Sequence, residues 1–152
     1  MNLTLKKILA RALSASLLIL LTSFATAHVT KEVGDGAYTI VTGYLNAPLY
    51  AGQIEQVDIS ITDADGNPVD GLAESITAQI VGPDGATVTL TVRAVRGSPG
   101  QYVADFIPTV VGNYDVRLSG FIAEHEFDEL FSGVDMVHAD PVVNDPATIS
   151  VP

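Results

Sequence analysis

Three histidines are the residues of this sequence best suited to hold a metal ion: His28, His125 and His138. His28 directly follows Ala-Thr-Ala at positions 25–27, a small-x-small pattern that signal peptidase reads. Cleavage at this point makes His28 the first residue, so that its α-amine and imidazole Nδ1 can form one chelate ring. A second imidazole would complete a nitrogen-rich set that suits tetragonal Cu(II). The alternative is that His28 is a tolerated residue at a chain end.

The first 27 residues have the pattern of a secretory signal peptide. A basic start with Lys6, Lys7 and Arg11 precedes the apolar run LSASLLILLTSF. This run is shorter than the roughly 20 residues that a membrane-spanning helix needs. We therefore expect a periplasmic or extracellular protein with no membrane span in its mature chain, while an uncleaved N-terminal anchor remains the alternative. The chain contains no Cys, which excludes a disulfide or a thiolate metal site.

The charge of the chain is strongly acidic. The formal net charge is −11, and loss of residues 1–27 removes three basic residues and no acidic one, which leaves −14. Such a chain repels nucleic acid and anionic lipid, and attracts cations or a basic partner. Solubility explains the same charge equally well. The expected partners are a metal ion and a membrane or periplasmic protein, whereas the oligomeric state stays open.

Short alternating segments indicate that residues 28–138 form β-strands. Alternation of apolar and polar residues is clear in VTLTVRA (88–94) and QVDISIT (56–62). The other candidates are AYTIVTGYL (37–45), SITAQIV (75–81), QYVADFI (101–107), YDVRLSGFI (114–122) and EFDELFSG (126–133). Turn residues separate these segments, and VGPDGATV is typical of a tight hairpin.

About seven short strands with this spacing predict an all-β protein, a single Greek-key β-sandwich of the immunoglobulin type. Tyr114 follows the corner PTVVGN and could make the tyrosine corner of such domains. The predicted domain covers residues 28–138. Residues 139–152 contain three Pro and two Asp and are expected to form an extended tail.

His125 is the candidate for the second metal ligand beside His28, and His138 belongs to a separate candidate set. Glu124 and Glu126 flank His125, but on an extended strand their side chains point to the opposite face. They could join a site with His28 and His125 only if residues 123–126 form a hairpin tip. His138 lies near Asp135 and Asp140, and a polar segment leading into the tail is the simpler interpretation.

The segments HVTKEVGDGAYTI and PTVVGNYDVRLSGFIAEHEFDELFSG resemble small secreted copper-associated sandwiches, namely the CopC-like carriers and their YcnI-like and FixH/YtkA-like relatives. In the CopC-like pattern, Gly-x-Tyr and a strand precede Asp-x-His and a closing strand. Gly112, Tyr114 and His125 follow this order, while Ala123 stands where the pattern has Asp. The resemblance implies Cu(II) binding by the N-terminal His and His125.

Two functions therefore compete. The one that we expect is a periplasmic copper-binding protein of the CopC-like type, a Cu(II) carrier or a part of copper homeostasis, which uses the mature N-terminal His28. The other is a non-catalytic immunoglobulin-like interaction module without metal, because sandwiches host many unrelated functions. No arrangement of nucleophile, base and acid stands out in the sequence, so we do not expect an enzyme.

Overall fold

The computed structural model describes residues 28–139, which form ten β-strands and, within this range, no helix. No segment of this range is therefore a helix able to cross a membrane. The strands are β1 (His28–Val33), β2 (Tyr38–Tyr44), β3 (Leu49–Tyr50), β4 (Glu55–Asp63), β5 (Ile76–Val81), β6 (Thr87–Leu90), β7 (Val92–Ala94), β8 (Gln101–Phe106), β9 (Gly112–Ile122) and β10 (His125–His138).

The strands form two five-stranded sheets, which confirms the all-β, immunoglobulin-like sandwich. Sheet A has the order β1-β2-β4-β8-β7, and sheet B has the order β3-β10-β9-β5-β6. The strands β2-β4-β8-β7 of sheet A and β5-β9-β10 of sheet B have the order of the two sheets of an immunoglobulin domain. β3 pairs in parallel with the end of β10, whereas the other strand pairs are antiparallel.

The core lies between the two sheets and follows the alternation of the sequence. In β4, Val57, Ile59 and Ile61 are fully buried, and the residues between them are half-buried on the outer face of sheet A. β9 contributes Val116 and Leu118 from the opposite sheet. This pattern arises because successive side chains of a strand point to opposite faces.

Tyr114 makes the predicted tyrosine corner. Its hydroxyl donates a hydrogen bond to the carbonyl of Val110 at 2.9 Å and accepts one from the Val110 amide at 3.1 Å. The Tyr114 carbonyl in turn accepts a hydrogen bond from the hydroxyl of Tyr44 on the other sheet, at 3.2 Å. These bonds fix the segment that crosses from β8 in sheet A to β9 in sheet B.

The structure adds two strands to the sequence prediction and divides one predicted strand into two. β1 and β3 were not predicted, because HVTKEV lacks a long apolar face and β3 has only two residues. The segment 88–94 was predicted as one strand but consists of β6 and β7, which belong to different sheets. The chain changes sheets at Thr91, and an alternating pattern continues unaltered through such a crossing. The predicted tail lies outside the described residues from position 140 onward.

Candidate functional site

His28 occupies the first position of β1, at the edge of sheet A. It pairs with Gly43 of β2, which pairs in turn with Asp58 of β4. Because Gly43 has no side chain, the imidazole reaches across it, and His28 Nε2 lies 3.5 Å from Asp58 Oδ2. The structure thus gives His28 a carboxylate neighbour that the sequence did not suggest.

His125 lies at the opposite end of β1. Ala123 and Glu124 form the turn between β9 and β10, so the predicted hairpin tip is present but consists of these two residues, and His125 and Glu126 already belong to β10. The imidazole of His125 packs against Gly34, which follows β1, and makes an edge-on contact with the Tyr38 ring at 5.6 Å between centroids.

The structure does not bring the two predicted copper ligands together. Six residues of strand separate His28 from Gly34, which corresponds to about 20 Å. His138 is at the other end of β10 from His125, beside the Tyr50 ring. Glu126 follows His125 within β10 and is exposed on the outer face. Between residues 28 and 139, no three His, Asp or Glu side chains form a metal-binding group. Copper binding stays a prediction.

A different feature is the groove at the edge formed by β6. This groove has a volume of about 510 Å³ and runs between β6 and the segment 106–110 that links β8 to β9. Ile80, Leu90, Phe106 and Tyr114 contribute apolar surface to it. The tyrosine corner fixes the second wall, since Val110 is the residue that Tyr114 holds.

Apolar side chains along the groove are exposed to an unusual degree. Val88 is 59 % exposed, Ile107 54 % and Val110 46 %. Val88 pairs with the buried Ile80 and therefore points to the inner face of sheet B. Its exposure shows that the opposite sheet does not cover this position, because β7 begins only at Val92. The groove is thus a part of the sandwich interior that lacks a covering layer.

The charges at the groove are mostly neutralised by one another. The Arg93 guanidinium forms an ion pair with Asp105, and the side-chain amide of Gln56 donates to the same carboxylate at 2.6 Å. The hydrogen bond from Gln56, followed by that from Arg93, lowers the pKa of Asp105. Asp84 accepts a hydrogen bond from the Ala86 amide at 3.0 Å and contributes one negative charge at the turn between β5 and β6.

Comparison with known proteins identifies no family for this chain. No protein-family model matches the sequence, and no curated protein matches it significantly. The crystal structure of the Lin-41 filamin domain is similar in fold, with a TM-score of 0.45 and 13% identity. The match covers 65% of this chain and 93% of that chain. The resemblance to copper-associated sandwiches is not tested by these comparisons.

The groove was missed because its sequence signal was read as an ordinary strand. Val88 and Leu90 alternate with threonines as buried strand residues do, and only the crossing at Thr91 leaves Val88 uncovered. One signal was present. The run IPTVV at 107–111 places three large apolar residues in a segment that lies between strands rather than within one.

Proposed function

We propose that this protein is a non-catalytic immunoglobulin-like interaction module that binds a polypeptide partner in the groove beside β6. The observation that carries the proposal is the convergence of Val88, Ile107 and Val110, all about half exposed, on one concave site. Contiguous exposed apolar surface of this kind is typical of sites for protein partners. If the chain is exported as its sequence predicts, the partner lies outside the cytoplasm, and the acidic charge favours a neutral or basic one.

The residues that line the groove also support a binding rather than a catalytic role. Among the described residues that line it, the charged side chains are Asp84, Arg93 and Asp105, and the last two are paired with each other. None of the three histidines lines it. An interaction surface needs apolar contact area with a few polar groups at its rim, and this is the composition of the groove.

Site-specific photo-crosslinking tests the proposal. A photoreactive residue would replace Val88 in the full chain, expressed in the organism that makes it, and crosslinked products would be identified by mass spectrometry. Leu45 is the matched control, because it is 56 % exposed but is not one of the residues that line the groove. We expect one dominant crosslinked product from the Val88 position that the Leu45 position does not give. The partner identified in this product should, once purified, bind the wild-type protein but not the Val88→Asp variant. Equal adducts from both positions would contradict the proposal.

A further inference from the structure

Among residues 28–139, β6 is the last strand of sheet B, so one of its edges has no neighbouring strand in this range. The Gly82 amide donates to the Ala86 carbonyl at 2.8 Å, which closes the turn between β5 and β6. Hydrogen-bonded and non-hydrogen-bonded pairs alternate along an antiparallel ladder. Counted from this closing pair, the backbone groups of Val88 and Leu90 face β5, and those of Thr87 and Thr89 face away from it, toward the open edge.

We infer that the groove binds an extended segment of the partner by strand addition to β6, an inference that rests on the proposed function. Strand addition supplies hydrogen-bond partners to an open sheet edge, while pockets beside the edge take alternate side chains. Here the backbone groups of Thr87 and Thr89 would pair with the added strand. Its inner side chains would cover Val88 and contact Ile107 and Val110 across the groove.

The chemistry of the groove specifies the added segment. Side chains opposite Val88 and Leu90 face the apolar groove, whereas those opposite Thr87 and Thr89 face water, so the segment alternates apolar and polar residues. Among the described residues that line the groove, Asp84 is the charged side chain without an ion pair, and it accepts a hydrogen bond from the Ala86 amide in the turn that leads into β6. An antiparallel segment therefore carries a basic residue at its C-terminal end, where it meets Asp84.

The probe is the capped heptapeptide acetyl-Thr-Val-Ser-Val-Thr-Val-Lys-amide, titrated into the 15N-labelled protein and followed by NMR. In an antiparallel addition, the amides of the peptide's central polar residues donate to β6, and the amides of its valines point away. N-methylation of the central serine and threonine should weaken binding by about tenfold or more, because each loses a hydrogen bond. N-methylation of the valines should have little effect, and the Thr89 amide should exchange more slowly in the complex.

The position of the lysine is tested separately. Moving it to the N-terminal end should weaken binding about two- to fivefold, as expected for an exposed ion pair. Asp84→Asn should remove this difference, and it keeps the oxygen that accepts from Ala86.

The two proposals fail in different ways. Strand addition is wrong if a partner crosslinks at Val88 but no peptide binds, or if N-methylation weakens binding equally for the two sets of peptide amides. The proposed function as an interaction module would still hold in that case. If Val88 and Leu45 give equal adducts, the proposed function is wrong, whatever the peptides show. Alternating sensitivity with the two sets reversed would indicate parallel addition to the same edge.

Discussion

The two lateral sides of the sandwich differ in how the sheets are closed. On one side, β1 extends sheet A and meets β10 of sheet B. Lys31 Nζ lies 2.6 Å from Glu129 Oε2 and 5.6 Å from the centre of the Phe131 ring, and His125 packs on Gly34. On the other side, the chain passes from β6 to β7 in one residue and leaves Val88 uncovered. Strand β1 and the long side chain of Lys31 cover the first side, whereas no strand or long side chain of the described residues covers Val88 on the second side.

This comparison explains why the two sides suit different tasks. Buried contacts across the first side stabilise the fold, because each removes apolar surface from water. The exposed residues of the second side contribute little to stability and remain available for a partner. Four predictions test this difference between the two sides, in order of decreasing effect on stability.

Truncation of a large side chain should have very different costs on the two sides. Phe131 is fully buried behind β1, and Phe131→Ala should lower the free energy of unfolding by about 3–5 kcal/mol. Val88→Ala should lower it by less than about 0.5 kcal/mol, as is usual for exposed positions. Urea unfolding measures both. Similar losses would show that β6 is covered in solution.

The glycines of the two edge hairpins form a matched pair. Gly34 and Gly85 both have a positive φ, of 61° and 79°. A Cβ at Gly34 would lie 3.1 Å from His125 Cγ, whereas nothing lies within 4 Å of one at Gly85. Gly85→Ala should therefore cost about 1 kcal/mol of backbone strain, and Gly34→Ala about 2 kcal/mol. Equal losses in thermal unfolding would mean that His125 does not pack tightly on the hairpin.

Glu55 is the buried charged residue of the described chain and pairs with Phe106 beside the groove. It is 3 % exposed; its Oε1 accepts from the Tyr50 amide, and its Oε2 has no partner among the described residues. Burial raises its pKa above the ordinary value, so the folded state holds this proton more tightly than the unfolded state.

The contribution of this group to stability is present below the unfolded pKa and is lost as the pH rises through the folded pKa. Glu55→Gln should therefore stabilise the protein at about pH 7 by about 1 kcal/mol, because it removes a buried charge. The difference should shrink toward about pH 4, where the wild-type group is protonated. Parallel stability curves for the two proteins over this range would contradict the prediction.

The smallest effect should come from the ion pairs of the two sides. Lys31→Met keeps a side chain over Phe131 but removes the charge that faces Glu129. We expect a loss of no more than about 1 kcal/mol, because both partners are about one-third exposed. Arg93→Met on the groove side should cost as little, and the effect of either should diminish in high salt. A larger loss of stability in Lys31→Met would contradict this prediction and would show that the ion pair contributes strongly to the packing of the first side.

Most of the sheet structure could be predicted because burial of one strand face leaves a two-residue period. β2, β4, β5, β8 and β9 lie within one or two residues of their predicted segments, and Tyr114 makes its predicted corner. β1 was missed because its residues alternate only weakly between apolar and polar. The histidine site could not be judged from sequence, since the separation of His28 and His125 depends on the direction of one edge strand.

The sequence by itself determined the strand faces, the turns and the tyrosine corner, because these depend on local periodicity and on residues close together in the chain. Only the tertiary structure decided which strand ends meet. It placed His28 beside Asp58 and His125 beside Gly34, at opposite ends of β1. It also left Val88 uncovered, because the chain changes sheets at Thr91 while the alternation of side chains continues. Local patterns record which face of a strand is apolar, and the packing of distant strands decides what covers that face.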